Sequence, residues 1–362
     1  MQLSSTLSWL LDAAAETASA DRLLAELGAH LVDDGLPLAG GALTLNVPHP
    51  LVSRRTWLWL TESGEVIEAL GFTSEKPESE TRPPNDAARR WLAGIAAGLV
   101  HEDAVGPPRN GAFLSWIGPR PFKHGEINEL RLAARYAAAP LAAVAARATL
   151  SATLEAYLGR RSAARVLAAP LGRDVGETIQ AALLYADLRG FTALSENNAP
   201  SAVISALDAW FDRIAGAVHA FGGEVLKFIG DGVLAIFPVA GRMPRDACEA
   251  SLRAVSAARA GMEHLHKERR QQGLSPLPFG AALHLGEILW GNIGAANRLD
   301  FTAIGSAVNL VSRLEGLCRP LGKTVLVSGA IAAETDVPLI PLGTHALRGI
   351  AAPCAVFTLP EN

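Results

Sequence analysis

Two aspartates stand out for the chemistry they could share. Asp187 closes the apolar run AALLYAD, and Arg189-Gly190-Phe191-Thr192 follows at once, where the pattern turns helical. Asp231 occupies the turn Gly230-Asp231-Gly232 between EVLKFI and VLAIF, two runs that read as a tight hairpin. Taken singly, the first is a helix cap and the second a turn residue, and both uses are common. Brought together, the two carboxylates would supply the oxygen ligands that a hard cation such as Mg²⁺ takes beside substrate phosphates. Two such ions can activate an attacking hydroxyl and neutralise leaving phosphates. The helix start at Phe191 and Thr192 would add free backbone N–H groups suited to phosphate. Farther on, Asn309 and Arg313 lie four apart in AVNLVSRLE, which puts both on one helical face.

Whether the aspartates meet depends on the elements that carry them. AALLYAD predicts a buried strand. SAVISALDAWFDRIAGAVHAF (201–221) predicts a helix with Val203, Leu207, Trp210, Phe211, Ile214, Val218 and Phe221 on one face and Gly222 as its stop. The hairpin follows, then a second helix from Arg245 to about Arg270, then further strands in FGAALHLGEILWGNIG. The order β-α-β-β-α-β predicts an α+β fold: a ferredoxin-like, antiparallel-rich sheet with helices on one face. In that topology the first strand and the hairpin are neighbours, so Asp187 and Asp231 fall at one edge.

The first half reads as a separate α/β domain over residues 1–125. TWLWL and VIEALGF predict paired strands around SGE, DAARRWLAGIAAGLV predicts an amphipathic helix with Asp86 as its cap, and AFLSWIG another strand. The charged, Pro-rich segment Thr73–Asp86 reads as a surface loop. One long helix is expected from Glu126 to Leu158, followed by the breaker APLGRDVGE with Pro170, Gly172 and Gly176. Residues 126–176 are therefore helix and linker, and 177–362 the second domain. Such a helix can be a spacer, or can pair with its copy and carry a signal as a shift in packing.

Composition narrows the field. A chain of 362 residues with 49% hydrophobic and 19% charged residues is globular and long enough for two cores. A net charge of -4 argues against a nucleic-acid binder. Cys248, Cys318 and Cys354 form no CxxC unit, which points to reduced thiols in the cytoplasm. The N-terminus lacks the pattern of a signal peptide, and Arg131, Arg135 and Arg147 interrupt the most apolar stretch, so no membrane span is expected.

Four blocks, LLYADLRGFTALSE, GGEVLKFIGDGVLAIF, ALHLGEILWGNIG and FTAIGSAVNLVSRLE, together resemble the catalytic domain of class III adenylyl and guanylyl cyclases. The likeness covers roughly half the chain, from about Glu177. It implies attack of a ribose 3′-hydroxyl on the α-phosphate of a nucleoside triphosphate, with Asp187 and Asp231 binding two Mg²⁺ or Mn²⁺ ions. It implies that Asn309 positions the ribose, that Arg313 stabilises charge at the α-phosphate, and that Arg348 in ALRGI grips the terminal phosphates. Each arginine has a plain alternative as a solvated surface charge. Lys227 stands where adenylyl cyclases donate to adenine N1, and Thr302 where many carry its Asp partner. A Lys/Thr pair resembles a bacterial subgroup, some members of which respond to bicarbonate, and implies ATP as the favoured substrate while leaving room for GTP as a minor one. The likeness also implies a head-to-tail homodimer, because relatives build each site from both subunits. The first half resembles GAF-type sensory domains in its element order alone. Trp57, Trp59, Trp91 and Trp116 could line a ligand pocket there or fill a core. A guanylyl or dual-specificity cyclase and a silent nucleotide-binding sensor are the alternatives. A likeness of GGEVLKFIGDG to diguanylate cyclases is weaker, because those place their acidic motif in the turn itself.

Overall fold

A computed structural model describes residues 4–46, 52–72, 86–106, 111–168, 176–295 and 297–360. The expected loop from Thr73, the side chain of Asp86 and the breakers Pro170 and Gly172 lie outside the described residues. The chain divides into two units, Met1–Ala152 and Thr153–Asn362.

The first unit contains α1 (Ser5–Asp12), α2 (Ala20–Asp33), β1 (Gly40–Asn46), β2 (Val52–Leu60), β3 (Val66–Phe72), α3 (Asp86–Ala93), β4 (His101–Ala104), β5 (Phe113–Ile117), α4 (His124–Tyr136) and most of α5 (Ala138–Leu158). Its five strands run β3-β2-β1-β5-β4, each neighbouring pair antiparallel, and the expected β2–β3 hairpin is present. Leu23, Leu24, Leu27 and Leu31 of α2 recur at helical spacing and pack with Leu130 of α4 against Trp59 and Trp116 of the sheet. Those two indoles meet edge to face at 6.3 Å, so they are core, while Trp91 on α3 is partly buried against a smaller cluster. Trp57 lines a cavity of about 670 Å³ with Arg55, Glu68 and Val144, and an edge of Trp59 borders a second of about 430 Å³ with Ala25, Val32 and Thr61.

Two expectations need correction here. The helix after Asp86 ends at Ala93, because Gly94 and Gly98 follow and glycine pays the largest entropy cost in a helix. The long helix breaks at Ala137, since the ring of Pro140 collides with the carbonyl four residues earlier, at Tyr136. The run His124–Leu158 is long and apolar enough to cross a membrane by length and composition. Its Leu130, Ala133, Ala134, Leu141 and Val144 are built into the first unit's core.

The second unit contains α6 (Arg160–Ala168), β6 (Gly176–Leu188), α7 (Phe191–Asn197), α8 (Pro200–Ala220), β7 (Glu224–Ile229), β8 (Gly232–Pro238), α9 (Pro244–Gln271), β9 (Phe279–Ala295), β10 (Arg298–Ile304), α10 (Ser306–Glu315), β11 (Val325–Ser328), α11 (Gly329–Ala332), β12 (Ile340–His345) and β13 (Cys354–Thr358). The expected β-α-β-β-α-β order is present, and the sheet runs β12-β13-β11-β9-β6-β8-β7 with β10 added onto β9. Helix α6 was not expected; Gly159 separates it from α5. Its N-terminus is held by the buried carboxylate of Glu224, which accepts from the Arg161 and Ser162 amides at 3.0 and 2.9 Å and from the Ser162 hydroxyl at 2.5 Å.

The helices do not lie on one face only. Trp210, Ile214 and Val218 of α8 and Val255, Met262 and Leu265 of α9 cover the face made by Leu184, Ala186 and Phe237. Ala307, Val311 and Leu314 of α10 cover the other, with Leu183, Ile236 and Trp290. The central strand is apolar at successive residues, Ala181 to Leu184, because both of its faces are buried.

Candidate active site

Strand β6 pairs with β9 along its whole length and with β8 on its other side, which fixes where Asp187 emerges. Alternating residues Leu184, Ala186 and Leu188 face α8 and α9, so Asp187 projects to the α10 face. The β7–β8 turn has two central residues, Gly230 and Asp231, between the paired Ile229 and Gly232. Gly230 supplies the positive φ of 64° that such a turn needs at its first centre. The indole N–H of Trp210 on α8 donates to the Asp231 carbonyl at 2.9 Å and holds the turn over the sheet edge.

The two aspartates meet as the topology predicts. Burial first, then a hydrogen bond with Asp231 and the charges of Asp231 and Glu315, raise the Asp187 carboxyl from its ordinary 3.8 to about 7. Its Oδ1 is buried and has no hydrogen-bond partner among the described residues. Tyr185, two residues earlier on the same face, is pushed up to about 12 by burial and by the charges of Asp187, Glu315 and Asp231. A cluster of oxygen donors in which Asp187, Tyr185 and Glu315 are each held above their ordinary values, with one buried lone pair unused, fits a hard divalent cation. Asp187 and Asp231 are the residues that would hold it. No set of three or more His, Cys, Asp or Glu is gathered for a metal among the described residues, so the remaining ligands would have to come from substrate and water.

Glu315, the last residue of α10, is a member of this group that the sequence reading missed. Its carboxyl is raised by burial and Asp231, with Arg189 pulling the other way. The residue opposite Asp187 on β9 is Gly280, and a Cβ there would come within 2.2 Å of Glu315 Oε1. The absence of a side chain at Gly280 is what lets Glu315 approach. The available signal was its place in SRLE at the end of the helix that carries Asn309 and Arg313. Beside it, Leu188, Arg189, Gly190, Glu315, Gly316 and Arg319 line a cavity of about 570 Å³. The Arg189 guanidinium donates to the Lys323 carbonyl, which fixes its position at the wall. Phe191 and Thr192 open α7 immediately after, Phe191 half-buried and Thr192 exposed.

The other expected site residues are placed separately. Asn309 and Arg313 share the exposed side of α10, and no hydrogen bond or ion pair joins them to Asp187 or Asp231 among the described residues. Arg348 is exposed in the turn after β12. Lys227 reaches β10, but its ammonium is bonded to Asp300 and not to Thr302, which is only 8% exposed in the strand. A bulge at β7 between Val225 and Lys227 makes this possible. Val225 packs on the α8 face and Leu226 on the α10 face, so strict alternation would return Lys227 to the α8 face. The inserted residue instead leaves Lys227 on the α10 side, and Phe228 then packs on Phe211 of α8 at 4.3 Å.

Residues 175–334 match the family described as the adenylate and guanylate cyclase catalytic domain, a span that takes in β6 through α11 and every site residue above except Arg348. The second unit carries a cyclase catalytic domain of this family. Over 171 residues the chain is 35% identical to adenylate cyclase 1 of Rhizobium meliloti, covering 46% of this chain and 25% of that one. Over 160 residues it is 29% identical to an adenylate cyclase of Anabaena cylindrica, covering 43% and 31%. The chain thus spans about a quarter to a third of the length of these curated relatives. A solved bacterial light-regulated adenylyl cyclase superposes with a TM-score of 0.50 at 25% identity, covering 61% of this chain and 63% of that one. The matches to the two named relatives cover under half of this chain, and the family match leaves residues 1–174 outside the cyclase domain.

Proposed function

We propose that the chain is an adenylate cyclase, converting ATP to 3′,5′-cyclic AMP and pyrophosphate. The observation that carries this reading is the meeting of Asp187 and Asp231, with the buried Asp187 Oδ1 left unpartnered, next to a cavity of about 570 Å³ lined by Arg189, Gly190 and Glu315 ahead of α7. Mg²⁺ or Mn²⁺, two ions per site, would supply charge neutralisation of the phosphates and activation of the 3′-hydroxyl. Asp187 and Asp231 hold them, while the first amides of α7 at Phe191 and Thr192 bind phosphate oxygens. Asn309 orients the ribose and Arg313 offers its fixed fork of donors to the α-phosphate as charge develops there. Arg348 binds the terminal phosphates. Lys227 donates to adenine N1.

The site is completed by a second copy of the chain. Within one protomer Asn309 and Arg313 are exposed and bonded to neither aspartate among the described residues, and a two-fold head-to-tail pairing would bring each set to the other's partner set. Exposed Phe228, Ile229, Leu289, Leu299 and Ile304 on β7, β9 and β10 supply an apolar surface of the kind that such a contact buries. The first unit, GAF-like in element order, regulates the enzyme through α5, with the cavity at Trp57 as the place for a small-molecule ligand. Control by bicarbonate rests on Thr302, and a flat activity response to bicarbonate at fixed pH removes it. The enzyme works in the cytoplasm. The deciding experiment incubates purified protein with ATP or GTP and Mn²⁺ or Mg²⁺ and identifies the product. Cyclic AMP with ATP is expected; no cyclic nucleotide under any of the four conditions overturns the reading.

A further inference from the structure

Base selection was expected to rest on Lys227 and Thr302, yet the side chain in contact with the Lys227 ammonium is Asp300. We propose that Asp300 is the positioning residue that fixes Lys227 for reading the base, and so sets the preference for adenine over guanine. This rests on the adenylate cyclase reading of the site and extends it to a residue that the four sequence blocks leave out.

Three observations support it. The first is register: β10 pairs with β9 from Arg298 to Ile304, with Asp300 opposite Ile293 and Thr302 opposite Gly291. Residues 300 and 302 therefore share a face of the strand about 6–7 Å apart along it. An ammonium held at Asp300 is thus displaced along β10 from Thr302. The second is exposure. Thr302 is 8% exposed, packed into the strand beside Phe301 and Ala303, whereas the Lys227 and Asp300 side chains are 35% and 48% exposed and open to an incoming ligand. The third is the β7 bulge, which turns Lys227 to the face that β10 occupies. An ion pair this open to water adds little to stability, so the fold has small need of it.

The chemistry follows from the number of donors. A lysine ammonium has three N–H donors and no acceptor. With one committed to Asp300, the other two remain for the base, and the nitrogen itself is held in one place. Adenine presents an acceptor at N1, while guanine presents a donor there, N1–H, facing the ammonium. A lysine on a free four-carbon stem could swing to the guanine O6 acceptor and bind either base. A tethered one cannot, so the tether creates the discrimination. The second Asp300 oxygen can also accept from the adenine amino group, which guanine replaces with a carbonyl.

The test uses the full chain and three variants, Asp300→Asn, Asp300→Glu and Thr302→Ala. For each, kcat and KM are measured with ATP and with GTP in Mn²⁺, and binding of both nucleotides is measured by competition with a fluorescent ATP analogue. Asp300→Asn is expected to lower the ATP-to-GTP ratio of kcat/KM roughly 10-fold, the scale of one lost discriminating contact, mainly through KM. Asp300→Glu restores part of the ratio, and Thr302→Ala leaves it within about twofold. A ratio moved by Thr302→Ala and not by Asp300→Asn overturns the proposal. So does an equal loss on both nucleotides in Asp300→Asn, which marks a structural role only. If the parent chain makes no cyclic nucleotide, it is the activity reading that fails. The ATP-to-GTP binding ratio then judges Asp300 by itself, and an unchanged ratio in Asp300→Asn overturns its role.

Discussion

Replacing Asp187 by Asn tests the electrostatics of the paired carboxylates without any assay of catalysis. In the absence of divalent ions the Asp187 carboxyl is raised from 3.8 to about 7 by burial, by Asp231 and by Glu315. A group whose folded pKa is raised contributes its full stability below its unfolded pKa, and that stability is lost as pH rises through the folded value. The penalty for ionising Asp187 is therefore absent below about pH 4, grows between 4 and 7, and is complete above 7. A shift of about three units corresponds to about 4 kcal/mol. Asp187 is only half-buried, and solvent screening reduces this to about 1–2 kcal/mol. Asparagine keeps the shape and removes the charge. In EDTA at pH 8 the Asp187→Asn chain should accordingly be more stable than the parent by about 1–2 kcal/mol in urea denaturation, with the gap closing as pH falls toward 4. Adding Mg²⁺ or Mn²⁺ should stabilise the parent and leave the variant nearly unmoved. A variant equal to or weaker than the parent at pH 8 in EDTA, or a gap that ignores pH, refutes the reasoning.

Further outcomes follow from the same structure. Asp187→Ala and Arg313→Ala chains, each inactive alone, should regain activity when mixed under exchange conditions. Random pairing makes half the dimers mixed, each with one intact site, so about a quarter of parental activity is the ceiling, and no recovery counts against shared sites. Glu224→Ala removes the acceptor of three hydrogen bonds at the start of α6 and should cost about 2–4 kcal/mol in denaturation; a loss under about 0.5 kcal/mol would mean that the latch is idle. Arg348→Ala should raise KM for ATP roughly tenfold with a smaller change in kcat, measured by cyclic AMP production, because a contact to the terminal phosphates binds substrate as much as transition state.

How much of the site was legible depended on how far each inference reached along the chain. The pairing of Asp187 with Asp231 followed from element order alone, since a strand and the hairpin after its helix are neighbours in this topology. Glu315 was not legible, because its approach requires the missing side chain at Gly280, in a strand distant in sequence. The second helical face escaped for a similar reason. Continuous apolar runs such as Ala181–Leu184 mark burial, but whether a helix covers both sides is settled by where α10 returns. In the first unit Pro140 could have placed the kink in the long helix, and Gly94 the end of α3, since both act through backbone chemistry that is local.

Sequence by itself determined the α+β element order, the cyclase family of residues 175–334, the meeting of Asp187 with Asp231 at one sheet edge, and the shared helical face of Asn309 and Arg313. Each of these depends on local periodicity or on blocks of contiguous residues. Tertiary structure decided which partner Lys227 takes, because a single bulged residue in β7 turns every side chain after it to the other face of the sheet. It likewise gathered Glu315 to the aspartates and left Asn309 and Arg313 looking outward. Contacts of that kind arise from register and close approach between strands and helices far apart in the chain, which no local pattern encodes.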